Sequence, residues 1–255
     1  MAVVALHYRF DGPRHAPVVL LLAPPGAKWT LWEPQMPELT RELRVLRVNH
    51  RGHGSSPAPG GDYTMDELGA DLLALLDEFG LDRLSIVGAG LGGMLATWLA
   101  ASHPGRVARL GYVAGTAAVP REGPWQRLAE RARRDGMEAV VDEATRCWFT
   151  PTFAEYRPDV VKRVAEEFSG VAAAGFAGWC AAGAGLDQRR LLARVKAPAL
   201  VVSSVHDPLL PPGHGRRLAR GLPHARLETV SGAAHLAGVE RADRVNELLT
   251  EHVAH

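Results

Sequence analysis

Cysteine is nearly absent from the 255-residue chain, which holds only Cys147 and Cys180. Two thiols cannot build a disulfide framework, and they lack the spacing of a metal site, so both are expected to be buried and free. A dominant charge is also missing. Lys and Arg total 29 against 28 for Asp and Glu, a formal net charge of +1, which leaves no global field to attract nucleic acid or an anionic membrane. A small-molecule or peptide substrate is the expected partner, and the oligomeric state is left open. The N-terminus carries no basic segment, long apolar core or small-residue cleavage site, which reads as no signal peptide and a reducing cytoplasm. Leu84–Ser102 is uncharged, but Gly88, Gly90, Gly92 and Gly93 interrupt it. It reads as a strand, a turn and a buried helix rather than a membrane span.

What is plentiful is apolar surface and punctuation. Apolar residues make up 47% and charged residues 22%, the balance of an ordinary globular protein, and a chain this long buries roughly 70% of the surface it exposes when unfolded. Glycine, at 27, and proline, at 18, exceed the roughly 18 and 13 that average usage gives. Val3–Tyr8 and Val18–Leu22 read as strands on either side of an Asp11-Gly12-Pro13 turn, followed by a helical segment from Trp32 to Leu43 and a strand from Val45 to Val48. Thr64–Phe79 has helical spacing, with Thr64 and Glu67 forming a capping box. Leu84–Val87, Leu91–Ser102 and Val107–Val113 continue as strand, helix and strand. From Pro120 to Arg194 helical segments follow one another. The strand and helix rhythm then returns at Ala199–Ser203, Gly213–Leu222, Ala225–Val230 and Arg241–His252. Such alternation predicts an α/β protein with a mostly parallel central sheet and helices on both faces. The core is expected over residues 1–119 and 195–255, with an inserted helical cap over 120–194.

Three loops carry the chemistry. Gly88-Ala89-Gly90-Leu91-Gly92-Gly93 joins a strand to a helix where a nucleophile elbow would read Gly-x-Ser-x-Gly, so the central residue is Gly90. His206-Asp207-Pro208 follows a later strand and Ala234-His235-Leu236 follows the last one, giving the order nucleophile, acid, histidine. Asn49-His50-Arg51-Gly52-His53-Gly54-Ser55-Ser56 resembles the Arg-Gly-x-Gly-x-Ser loop of the same fold. Over nearly its whole length the chain resembles the α/β-hydrolase superfamily, and within it the 3-oxoadipate enol-lactonases. Trp32-Glu33-Pro34-Gln35, Trp148-Phe149-Thr150-Pro151 and Ala233-Ala234-His235-Leu236 with Val239-Glu240 are similar to that group.

The resemblance implies a cofactor-free enzyme with its pocket between sheet and cap, Asp207 as acid and His235 as base. The nucleophile's place is then vacant at Gly90. It also implies an oxyanion site built from the Leu91 N–H and an early loop, where alignment on Gly26 and Trp32 puts Pro25 at the donor position; proline has no N–H. Pro24, Trp125, Trp148, Trp179, Leu209 and Leu236 are expected to line the substrate pocket.

Losing the serine of a triad costs on the order of 10⁶ in turnover, and losing one oxyanion donor roughly 10²–10³, so acyl-enzyme chemistry should be gone. A His-Asp dyad can still act as a general base in epimerisation, isomerisation, cyclisation or elimination. Two alternatives stay open: hydrolysis of an ester, lactone or C–C bond by His-activated water, and a catalytically dead binding protein. Gly88, Gly90 and Gly93 also spell a dinucleotide fingerprint, but they lie deep in the chain with no carboxylate from Arg106 to Tyr112, so no cofactor is expected. His50 and His53 lack a third ligand, and no metal is expected. Arg131, Arg133 and Arg134 read as a solvated helix face. Richness in Ala, Gly and Arg suggests a high-GC bacterial source and, by association, natural-product metabolism.

Overall fold

A computed structural model describes residues 3–254. Seven strands form one sheet: β1 (His7–Asp11), β2 (Val18–Leu22), β3 (Arg44–Asn49), β4 (Leu84–Ala89), β5 (Val107–Val113), β6 (Ala199–Ser204) and β7 (Ala225–Val230). Their order is β1-β3-β2-β4-β5-β6-β7, with β1 antiparallel to β3 and every other pairing parallel. Runs such as Val18-Val19-Leu20-Leu21-Leu22 are apolar without a break because a parallel sheet is covered on both sides. Successive side chains point to opposite faces. Leu20, Leu46, Ile86 and Val201 therefore share one cluster, while Val19, Val45, Val87 and Val202 share another.

The longer helices are α1 (Met65–Glu78), α2 (Leu91–Ser102), α3 (Pro124–Asp135), α4 (Pro158–Ser169), α5 (Ala173–Gly183), α6 (Gly213–Gly221) and α7 (Ala242–Val253). Leu68 and Leu72 of α1, Leu95 and Leu99 of α2 and Leu218 of α6 cover the first face. Val245, Leu248 and Leu249 of α7 cover the second. The expected capping box opens α1: Glu67 N–H donates to Thr64 Oγ1 at 3.2 Å and Thr64 N–H to Glu67 Oε2 at 2.9 Å. Helices α3 to α5 and several shorter ones fill the chain between β5 and β6, with their own cluster around Leu128, Trp148, Phe168 and Phe176.

Two expected elements shift. The first strand begins at His7 rather than Val3, because its antiparallel register pairs His7 with Asn49 and Asp11 with Val45, while Val4 N–H donates to Asp71 instead. The segment expected as a helix from Trp32 to Leu43 is a 3₁₀ turn over Trp29–Gln35, containing Pro34, and a single α-turn over Met36–Leu39. Two prolines in four residues, Pro34 and Pro37, remove the amide donors that a longer helix needs.

Leaving β2, the chain pairs first with β3 on one side and later with β4 on the other. The loops after β2 and β4 diverge there, opening a crevice at the strand ends where ligands bind in such sheets.

Candidate active site

Gly90 sits between β4 and α2 with φ 53° and ψ −123°, a region that side chains other than hydrogen occupy only under strain. The flanking glycines let helix and sheet approach. A Cβ on Gly88 would lie 2.5 Å from the Gly92 carbonyl, and one on Gly92 would lie 2.5 Å from the Leu22 oxygen. Space beside Gly90 is different in kind. A Cβ there would meet only Pro24 Cβ at 3.3 Å and His235 Nε2 at 4.0 Å.

The structure brings Asp207 and His235 together from the loops after β6 and β7, with Nδ1 of His235 2.9 Å from Asp207 Oδ2. The other carboxylate oxygen accepts the N–H groups of Leu209 and Leu210, each at 2.9 Å. Burial pushes the Asp207 carboxyl up, but the hydrogen bond and charge of His235 and those two amides outweigh it and hold it below its ordinary value. A carboxylate so fixed keeps the Nδ1–H tautomer and turns Nε2 toward Gly90.

The loop after β2 is braced from beneath by the loop after β3. His53 donates from Nδ1 to the Arg51 carbonyl at 3.1 Å and accepts Gly26 N–H on Nε2 at 2.8 Å, while His50 Nε2 donates to the Ala23 carbonyl at 3.2 Å. Burial, and next the adjacent His53, lowers His50 to about 3; burial lowers His53 to about 4. Both rings are neutral props. Arg51 anchors the same loop to α1 through Asp71, at 2.6 and 2.7 Å. Since Pro24 and Pro25 carry no N–H and that of Gly26 is engaged by His53, this loop turns no amide donor of those three residues toward Gly90. Leu91 N–H, at the first position of α2, has no acceptor within its helix. What His50 and His53 hold is not legible in the sequence, because their partners are on the neighbouring strand's loop.

A cavity of about 280 Å³ lies against Gly90 and His235. Pro24, Pro25, Leu91, Trp125, Trp148, Leu209 and Leu236 line it. Trp179 does not. The expectation for it is corrected: the side chain is fully buried, with its ring centroid 4.4 Å from that of His50. Each helical residue turns about 100°, so Cys180 and Gly183 reach the cavity while Trp179 points away, toward the His50 and His53 loop. Trp179→Ala is expected to cost about 3–5 kcal/mol in urea unfolding; a loss below about 1 kcal/mol would contradict its place in the core.

Cys180 is buried and its thiol is pushed up to about 12 by burial, so it is a poor nucleophile. Cys147, expected buried, is only partly so, because Trp148 and Phe149 take the interior positions. Two further links were not foreseen. Glu240 accepts Ala234 N–H at 2.9 Å, Thr150 N–H at 3.2 Å and the Thr150 hydroxyl, and Leu236 N–H donates to the Trp148 carbonyl at 3.0 Å. The inserted helices are thus tied to the His235 loop. His214, which lines the cavity from the start of α6, lies with Nδ1 3.0 Å from Thr116 Oγ1. Among the described residues no group of His, Cys, Asp and Glu is arranged to hold a metal, and no helix is long and apolar enough to cross a membrane.

A mostly parallel sheet whose strand ends carry an elbow, an acid and a histidine in that order defines the class: the chain belongs to the α/β-hydrolase family, matching the alpha/beta hydrolase fold over residues 16–242. Within it the likeness is to enol-lactonases. The chain is 32% identical to 3-oxoadipate enol-lactonase 2 of Acinetobacter baylyi, over 95% of its own length and 91% of the relative's. It matches the crystal structure of the enol-lactonase from Burkholderia xenovorans with a TM-score of 0.94 at 35% identity, covering 97% of this chain and 96% of that one. The putative carbamate hydrolase RutD of Stutzerimonas stutzeri is 26% identical over 98% of this chain and 97% of its own length.

Proposed function

We propose that this chain is an α/β-hydrolase-fold enzyme that works without a nucleophile, with His235 as general base and Asp207 as its orienter. The observation that carries the reading is the position of Gly90, which presents no side chain where a Cβ would stand 4.0 Å from His235 Nε2. A substrate C–H placed there gives its proton to Nε2 while Asp207 stabilises the imidazolium. The electron pair moves onto the substrate's carbonyl oxygen, which the Leu91 N–H polarises. Return of the proton to another atom by His235 gives isomerisation, and reprotonation of the opposite face by water gives epimerisation; expulsion of a leaving group gives elimination, and attack on a carbonyl carbon of the same substrate, whose oxygen takes the π electrons and the His235 proton, gives cyclisation. Residues 1–119 and 195–255 serve as the core and 120–194 as the cap, with Trp125 and Trp148 roofing the substrate. This chemistry needs no cofactor. The substrate is a small molecule or peptide, and cytoplasmic natural-product metabolism is the setting that fits it.

A second reading, hydrolysis by His235-activated water, is favoured by one finding: the relatives named above are lactonases or hydrolases. The missing loop donors weigh against it, since each oxyanion donor lost slows acyl transfer by roughly 10²–10³-fold.

The test is solvent exchange. In D₂O, with a panel of ketones, lactones and peptide esters, the protein is expected to place deuterium at an acidic carbon of at least one compound. His235→Ala should slow that exchange by about 10²–10⁴-fold. Exchange that survives His235→Ala unchanged, or none across the panel, would sink the reading.

A further inference from the structure

The charges around the cavity restrict what can enter it. Two carboxylates, Glu122 and Glu167, and one guanidinium, Arg163, line its walls among mostly apolar side chains. Arg163 is already paired, 3.6 Å from Glu33 across the gap between α4 and the Trp29–Gln35 turn. Glu167 accepts a hydrogen bond from the Thr30 hydroxyl across the same gap. Glu122 is exposed at the rim and has no ion pair among the described residues. Both histidines of the wall already have partners. His235 is matched by Asp207, and His214 is held below its ordinary value by burial and then by Arg217, against a smaller opposing effect of Asp207.

An incoming carboxylate would therefore lose its hydration in an apolar cavity, find the one lining guanidinium already shared with the half-exposed Glu33, and meet Glu122. An ammonium would face the same desolvation with only a solvated carboxylate at the rim to offset it. We propose that the site takes an uncharged, largely apolar substrate and turns away carboxylates, although the Acinetobacter relative is named for 3-oxoadipate, an anion. The proposal rests on the preceding reading only in placing the substrate in this cavity.

Three naphthalenes of similar size test it by calorimetry at neutral pH: the ketone 2-acetylnaphthalene, the anion 2-naphthoate and the cation 2-naphthylmethylammonium. The ketone is expected to bind about tenfold or more tightly than either ion. Glu33→Gln, which frees Arg163 without touching the cavity wall, should raise naphthoate affinity about three- to tenfold and leave the ketone unchanged. Glu122→Gln should narrow the gap in the same direction. Naphthoate or the ammonium binding as tightly as the ketone would overturn the proposal, as would a Glu33→Gln variant with unaltered naphthoate affinity. Ketone preference in a protein inert toward every carbon acid would sink the proton-transfer reading and leave this one standing.

Discussion

Gly90→Ser is expected to give a slow esterase, not a serine hydrolase of ordinary rate. The new Cβ would stand 4.0 Å from His235 Nε2, so a hydroxyl one bond beyond it reaches hydrogen-bonding distance of a base that Asp207 already orients. Two features hold it back. The backbone at φ 53° and ψ −123° strains any side chain, costing about 1–3 kcal/mol of stability, and Pro24 must yield to relieve a 3.3 Å contact. More important, Pro24 and Pro25 have no N–H and Gly26 N–H is held by His53. Turnover of p-nitrophenyl acetate should then remain about 10²–10³-fold below that of Gly90→Ser/Pro25→Leu, which restores one amide donor. Fast turnover in the single variant, with no gain from Pro25→Leu, would show that the loop after β2 does supply a donor and that Pro25 is wrongly assigned.

Stability is expected to fall steeply as pH drops from about 6.5 toward 4, through His50 and His53. In the folded chain their values are lowered from 6.5 to about 3 and about 4 by burial. Between those values and 6.5 the unfolded chain binds protons that the folded chain refuses. Stability from these rings is thus fully present above 6.5 and is lost as pH falls through that window. With both rings contributing, the slope reaches up to about 2.7 kcal/mol per pH unit. Asp207, held below its ordinary value, adds loss in the same direction at lower pH. Urea unfolding across pH 5 to 8 measures the slope. His53→Gln should be less stable at neutral pH yet lose about one proton's share of the slope; an unchanged slope would mean that His53 is not a buried neutral prop.

The places of Gly90, Asp207 and His235 in loops that follow β4, β6 and β7 were legible because each loop is local and sits at the end of a readable strand. The capping box of Thr64 and Glu67 was legible for the same reason. Trp179 was not, because α5 is apolar almost all round: Phe176, Ala177, Trp179 and Cys180 are all buried. A helix without a polar side gives no sign of which residue meets a cavity and which meets a loop. The props under Ala23 and Gly26 were hidden by distance along the chain, since β2 and β3 become neighbours only in the sheet. The truncated helix after Trp32 follows from Pro34 and Pro37, whose effect the helical spacing of the apolar residues masks.

Gly90 on β4's loop and Pro24 and Pro25 on β2's loop border one cavity, so a position without a side chain and two residues without an amide N–H meet at the same crossing point. His235 and Asp207 keep their full hydrogen-bond support. The proposed proton-transfer reading uses that support, since a base acting without a nucleophile must be held and oriented.

The most direct test runs turnover in water carrying both deuterium and oxygen-18 and locates each label in the product. Deuterium on carbon, no oxygen-18, no acyl adduct on the protein by intact mass, and loss of the deuterium signal in His235→Ala are expected. Oxygen-18 in a carboxyl group of the product, or an acyl adduct on any side chain, would contradict proton transfer by His235 and return the chain to hydrolysis.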